Sequence, residues 1–388
     1  MVYLDHSATT PTDPRVVRAM LPYMTERFWN PSSPYDAARE ARTAVDEGRE
    51  RVAAALGAQP DEIVFTSGGT EADNIAVAGV AHGNASRGRH VVTSAIEHHA
   101  VLRACEYLEE RHGFEVTYLP VDRLGLVDPR DVEAALRNDT VLVSIMHSNN
   151  EIGTIEPIEE IATIVRERGI PLHTDAVQSV GRVDVDVERY GVDLLSLSGH
   201  KLYGPKGVGA LYVRSGTILD PLSQGGTHEG GLRPGTENVP GIVGLAEAIE
   251  IALADLDETA ERLRGLTARL ERGIRDAVPD VSVNGHPEMR LPGTINLSCS
   301  FVEGESLVLA LDLAGFAVST GSACTTGESK PSHVITALGV PPELAQGSLR
   351  FSLGRENTAD EVDRLIEVFP PIVERLRAIS PLGRTARP

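Results

Sequence analysis

Lys201 follows an apolar run, Leu194 to Leu197, and a polar turn, Ser198-Gly199-His200. A second apolar run, Gly209 to Val213, comes after a loop rich in glycine and proline. The pattern is strand, turn, loop, strand. An ammonium placed at the end of a buried strand is costly to desolvate unless it is paired, used covalently or shifted to a lower pKa. Lys201 is therefore a candidate amine nucleophile for Schiff-base chemistry, with the Ser198 hydroxyl and the His200 imidazole beside it. The ordinary role of such a lysine is a solvated loop, so matching groups are needed elsewhere in the chain.

Three other apolar runs end on polar groups: Glu97-His98-His99, His147-Ser148-Asn149-Asn150-Glu151, and Asp175 with Gln178. Each has a plain alternative: the histidines as a helix start, the asparagines as turn residues, Asp175 as a helix cap. The turn Ser67-Gly68-Gly69-Thr70 after the run Glu62 to Thr66 opens a helical stretch and reads equally as a cap or as an anion cradle. Together, however, an amine, a carboxylate, a flat ring and an anion cradle are what pyridoxal phosphate requires. Lys201 would take its aldehyde, Asp175 its ring nitrogen, His98 its ring face, and Gly69 with Thr70 its phosphate.

Cys324 lies in a run of small polar residues, Ser319 to Ser329, where nothing packs around it. It reads as an accessible thiol, which is an oxidation liability unless it is used. Cys105 and Cys299 sit in apolar contexts suited to packing. Arg350, between Leu349 and Phe351, is placed to fork a carboxylate.

These groups need a scaffold. From residue 62 to 213 strand-like and helix-like segments alternate with short loops, which predicts a mainly parallel sheet covered on both faces, with functional groups beyond the carboxyl ends of its strands. Helical spacing covers 14–28 and 35–56, and a long helical pattern runs from Val239 to Leu270. Residues 279 to 370 read as a second, α+β unit. At 388 residues the chain is long enough for two domains. A formal charge of -20 argues against direct nucleic-acid binding. Three cysteines without metal spacing indicate neither a disulfide framework nor a metal site, and they fit a reducing, cytoplasmic compartment. No window approaches the roughly 18 apolar residues of a membrane span, and no GxGxxG follows an early strand, which disfavours a nucleotide-dependent oxidoreductase.

The motifs TSGGTEADN from Thr66, EHHAVL from Glu97, SIMHSNNEIG from Ser144, HTDAVQSVG from His173, SLSGHKLYGPKGVGALYVR from Ser196, GTENVPGIVG from Gly235, STGSACTTG from Ser319 and SLRFSLGR from Ser348 resemble those of the cysteine desulfurases of the nitrogen-fixation and iron-sulfur-cluster type, within the class V aminotransferase-like enzymes. The resemblance runs from Tyr3 to about Leu382. It implies a fold type I pyridoxal-phosphate enzyme of the α/β class: a large domain, 13–260, with a mainly parallel seven-stranded sheet, and a smaller α+β domain, 1–12 with 261–380, ahead of a disordered tail. It implies conversion of L-cysteine to L-alanine, with sulfur passing to Cys324 as a persulfide and on to an acceptor protein serving clusters, tRNA or DNA. A selenocysteine lyase or another class V enzyme is the alternative.

The implied roles are covalent attachment at Lys201, stacking and catalysis at His98, ring-nitrogen contact at Asp175, and ring-hydroxyl contacts at Gln178 and Asn150. Phosphate contacts fall to Ser198, His200, Gly69 and Thr70. Thr236 would reach the phosphate of a second subunit in a homodimer. Arg350, with Asn150, would hold the substrate carboxylate. Cys324 would ride on a mobile loop, and in some members of the family this cysteine also ligates a shared cluster.

Overall fold

The computed structural model describes residues 1–321 and 331–380. Its strands are β1 (Val2–Tyr3), β2 (Ile63–Thr66), β3 (His90–Ser94), β4 (Glu115–Leu119), β5 (Thr140–Ser144), β6 (Leu172–Asp175), β7 (Leu194–Ser198), β8 (Gly209–Val213), β9 (Val281–Asn284), β10 (Thr294–Cys299), β11 (Phe316–Ala317) and β12 (Ser348–Ser352). A seven-stranded sheet has the order β2-β8-β7-β6-β5-β3-β4. Neighbours from β7 to β4 run parallel, while β8 is antiparallel to both β2 and β7. The inner strands β3, β5, β6 and β7 are buried along their whole length, as a sheet covered on both faces requires.

Side chains alternate across such a sheet. Leu195 and Leu197 of β7 and Leu172 of β6 point into a core shared with the helices Asp36–Leu56 and Val239–Ala254. Leu194 packs on the opposite face, with Val77, Val101 and Leu108. Period two therefore sends His173 and Asp175 of β6, and Ser196 and Ser198 of β7, to that second face. The strip is continuous: His173 Nδ1 lies 2.9 Å from Ser144 Oγ and its Nε2 lies 3.0 Å from Ser196 Oγ.

The three-stranded sheet β12-β10-β9 is antiparallel and has its own core, with Leu297, Phe316, Phe351 and Phe369 among its buried residues. Helices Leu256–Ala277 and Ala359–Ile379 cover it. The second begins with a reciprocal cap between Thr358 and Glu361. A smaller cluster, including Ile96, Met146, Val334 and Ile335, packs the helix His333–Ala337 against the ends of the large sheet.

Two helical stretches are interrupted. The 14–28 pattern splits into Pro14–Met20 and Pro22–Thr25, because Pro22 has no N–H to continue the ladder. The 239–270 pattern breaks at Asp255 and runs on to Ala277. A four-residue helix, Pro342–Ala345, has no counterpart in the sequence reading.

The first thirteen residues connect the two cores. β1 pairs in parallel with β11 in the smaller unit. The chain then crosses to the large sheet, where Thr10 N–H donates to His200 O and Asp13 N–H to Tyr203 O.

Candidate active site

Lys201 closes the short 3₁₀ turn that follows β7. Its Nζ donates to two main-chain carbonyls of the crossing segment, Ser7 O at 2.5 Å and Ala8 O at 2.9 Å. Burial lowers its pKa to about 7, helped by the nearby Arg350 and Arg182 guanidinium groups. An amine with that pKa is substantially uncharged at neutral pH, the condition for acting as nucleophile or base.

Asp175 ends β6, with its carboxylate accepting from Val177 N–H at 2.9 Å. Burial raises its pKa to about 6, against the pull of that N–H and of Lys201. No helix starts at Ala176, so the carboxyl is not a helix cap. His98 is the N-cap of the helix His99–His112, and its Nδ1 accepts from Ala100 N–H at 3.1 Å. The proton of the neutral ring therefore sits on Nε2. Burial, with Lys201 second, lowers its pKa to about 4, so the ring stays neutral and flat-faced. One polar atom each from His98, Asp175 and Asp73 lies within 4.8 Å of the others.

Gln178 donates from Nε2 to Ser7 O at 3.0 Å, while its Oε1 is buried without a hydrogen-bond partner, as is Ser198 Oγ. His200 turns its Nδ1 toward Thr9 Oγ1 at 3.1 Å. Gly69 begins a helical run that continues, through a π turn at Ile75–Gly79, to Gly83. A Cβ on Gly69 would lie 2.5 Å from Val177 Cγ2, so its lack of a side chain lets the helix start sit beside the Asp175 segment. Gly68 has φ +153°, a conformation open to glycine. Thr70 is exposed.

Arg350 projects from β12 and is almost fully buried. Its Nη2 pairs with Asp5 Oδ1 at 2.6 Å and its Nη1 donates to Asn150 O at 2.8 Å, leaving Nε unpartnered. Asn150 thus meets Arg350 through its backbone. Asn149 behaves as a turn residue, with its Oδ1 accepting from Glu151 and Ile152 N–H. Thr236 is exposed in the loop that precedes the helix Val239–Ala254. Cys324 lies outside the described residues. Gly321 and Ser332, on either side of residues 322–330, both lie against Glu151: Ser332 Oγ donates to its Oε2 at 2.6 Å, and a Cβ on Gly321 would be 2.9 Å from the same oxygen. Cys105 and Cys299 are buried, and burial raises the Cys105 thiol well above its usual range and that of Cys299 to about 12.

Sequence reasoning missed Asp5, the Ser7 and Ala8 carbonyls, Arg182 and the carboxyl of Asp73. Carbonyls carry no residue-type signal. Asp73 was legible only as a polar position in a helix start.

The class-V aminotransferase family model matches residues 2–365. A cysteine desulfurase IscS of Dictyoglomus turgidum is 54% identical over 380 residues, covering 98% of this chain and 96% of that protein. This chain belongs to the class-V aminotransferases, among the cysteine desulfurases. A cysteine desulfurase IscS of Methanosarcina thermophila is also 54% identical, over 98% of this chain and 94% of the relative. Among solved structures, a NifS-like protein superposes with a TM-score of 0.90 at 40% identity, covering 97% of this chain and all of that one. SspA in complex with cysteine gives 0.82 at 39% identity, over 92% and 100%.

Enzymes of this family depend on pyridoxal phosphate, and the residues present fit that group. A near-neutral, partly buried lysine, a buried carboxyl with one N–H donor, a neutral imidazole, and two unpartnered buried oxygens, on Ser198 and Gln178, converge where it would sit. Buried polar atoms ordinarily have partners; a ligand with a phosphate and a ring hydroxyl would supply them here. Among the described residues no helix is long and apolar enough to cross a membrane.

Proposed function

We propose that this cysteine desulfurase converts L-cysteine to L-alanine and passes the sulfur to Cys324, and that Lys201, Asp175, His98 and Arg350 carry the chemistry. The observation that supports this reading most is Lys201: a partly buried amine held by the Ser7 and Ala8 carbonyls, its pKa lowered to about 7, beside Asp175 and His98.

Bound pyridoxal phosphate supplies an aldehyde for amines and an electron sink for the pair left behind when a Cα proton is removed. Lys201, its amine uncharged near neutral pH, would be the base that takes that proton. Asp175 would hold the ring nitrogen, and its charge would favour a proton there. His98, with its Nδ1 engaged by Ala100 N–H, would cover the ring face. Ser198, His200, Gly69 and Thr70 hold the phosphate, and Gln178 with Asn150 the ring-hydroxyl side.

Arg350 anchors the substrate carboxylate. Its Asp5 partner takes one Nη2 contact and leaves Nε for the incoming anion. The Cys324 thiolate takes the substrate sulfur, the C–S bond breaks, and a proton delivered to the former Cβ completes alanine. One cysteine and one thiol become one alanine and one persulfide.

Thr236 reaches the phosphate of a second subunit in a homodimer, a reading supported by its exposure. The exposed Leu21, Met24 and Phe28 on one short stretch would be covered there. The two functional units are 13–260 and 1–12 with 261–380; the setting is the cytoplasm, and an acceptor protein receives the sulfur. Cys324→Ser should retain cofactor colour while losing sulfide release from L-cysteine in the presence of a reductant. Full sulfide release by that variant contradicts the assignment.

A further inference from the structure

Behind Asp175 lies a second carboxyl that the chemistry above does not use. Asp73, on the helix that starts at Gly69, is 1% exposed, and its Oδ1 has no hydrogen-bond partner. An oxygen of Asp73 and one of Asp175 lie within 4.8 Å of each other, and both side chains are buried. Two carboxylates that close in a buried site do not both ionise, and the pair titrates as a unit.

The groups around them decide where the shared proton rests. Asp175 has the Val177 N–H at 2.9 Å and the Lys201 amine nearby, both of which favour its anion. Asp73 faces only the Ser196 hydroxyl as a group that favours charge, against burial first and then the Asp175 carboxylate; Glu97, raised by burial to about 8, is itself mostly protonated at neutral pH and adds little. Its other polar neighbour is His173, with Nε2 at 3.7 Å. That contact is not an ion pair, because burial lowers the His173 pKa to about 3 and both ring nitrogens are already engaged by Ser144 and Ser196. His98, within the same 4.8 Å set, is held neutral by burial. Of the strands that pack on the Asp73 helix, β2 carries no titratable residue, and Tyr212 of β8 interacts instead with Arg214, Glu62 and their neighbours.

We propose that Asp73 is a protonated, neutral carboxylic acid at neutral pH, and that it acts as a positioning residue which leaves the single charge of the pair on Asp175. A proton on Asp175 instead would remove the charge from the group that faces the cofactor ring. A proton on Asp73 lets the pair keep one anion, on Asp175, while a second polar side chain lies against the Ser144–His173–Ser196 strip without a second buried charge. This rests on the reading of Asp175 as the ring-nitrogen partner.

Asp73→Asn replaces a neutral acid with a neutral isostere, so the fold and the charge pattern persist. Infrared difference spectra of the cofactor-free protein at pH 7, wild type against D73N, should show a protonated-carboxyl C=O stretch that the variant lacks. The band should persist in D175N. D73N should retain the cofactor affinity and visible absorbance of the wild type at pH 7, whereas D175N should lose about 10- to 100-fold in affinity. No lost band in D73N, or a D73N absorbance altered in the manner of D175N, overturns the proposal. Retained affinity in D175N would instead overturn the assignment of Asp175, while the Asp73 band is read independently of it.

Discussion

Lys201 owes its low pKa to desolvation first and to two arginines second, which gives its effect on stability a definite sign. In the unfolded chain the amine titrates near its ordinary 10.5, and in the folded cofactor-free protein near 7. Between these values the unfolded state binds more protons, so the Lys201 contribution to stability improves as pH rises through the window and is most unfavourable below pH 7. Lys201→Met in the cofactor-free protein should therefore raise stability most at pH 6, with the gain fading toward pH 10, as read by urea denaturation across pH. A gain independent of pH would show that the amine is not desolvated. At this scale the sequence was informative: Lys201, Asp175 and His98 were legible because an amine, a carboxylate and an imidazole at successive strand ends form a chemical set. Asp5 and Asp73 were not. A carboxylate near a chain start, or one turn into a helix, looks the same whether it faces water or a guanidinium 345 residues away in sequence.

The turn that opens the Gly69 helix and the strand β8 form a unit whose tolerance is set by backbone contact. A Cβ at Gly209 would lie 2.5 Å from Leu197 O and 2.8 Å from Gly68 Cα, both main-chain atoms that cannot swing aside. Gly209→Ala should cost about 1–3 kcal/mol and displace the Gly68–Gly69 turn. The expected outcome is a lower urea midpoint together with weaker retention of pyridoxal phosphate in equilibrium dialysis; unchanged values for both would show that β8 can move without the cradle. The sequence displayed this strand as an apolar run bounded by glycines, and its existence was legible. Its antiparallel direction was not, because direction depends on which neighbours it pairs with, β2 and β7. The breaks at Pro22 and Asp255 divide equally well: the first was written in a proline, while the second follows from a change of direction between two cores, which local helical spacing does not record.

Among the described residues, two sheets with their own packing are joined by the crossing segment. Phe351 and Phe369 stack edge to face, with centroids 6.0 Å apart, in the core under β12, the strand that presents Arg350. Phe351→Ala should cost about 3–5 kcal/mol, and its effect on catalysis should appear first as a raised KM for L-cysteine through a displaced Arg350. A fall in kcat alone would argue against that route. Sedimentation at micromolar concentration should give a dimer, and Thr236→Ala should weaken cofactor retention without changing the sedimentation coefficient; a monomer with full cofactor content contradicts the cross-subunit reading. The division into a parallel α/β unit and an α+β unit was legible from the alternation of segments. The return of residues 1–13 across both was not, since short strands and carbonyl contacts leave little trace in composition. Covalent attachment of the cofactor to one amine, as we propose for Lys201, is open to a direct chemical test. Borohydride reduction of the holoenzyme, followed by peptide mapping, should place a reduced pyridoxyl group on Lys201, with none in Lys201→Ala; an adduct on any other side chain, or a wild-type protein that yields no adduct after reconstitution, would contradict it.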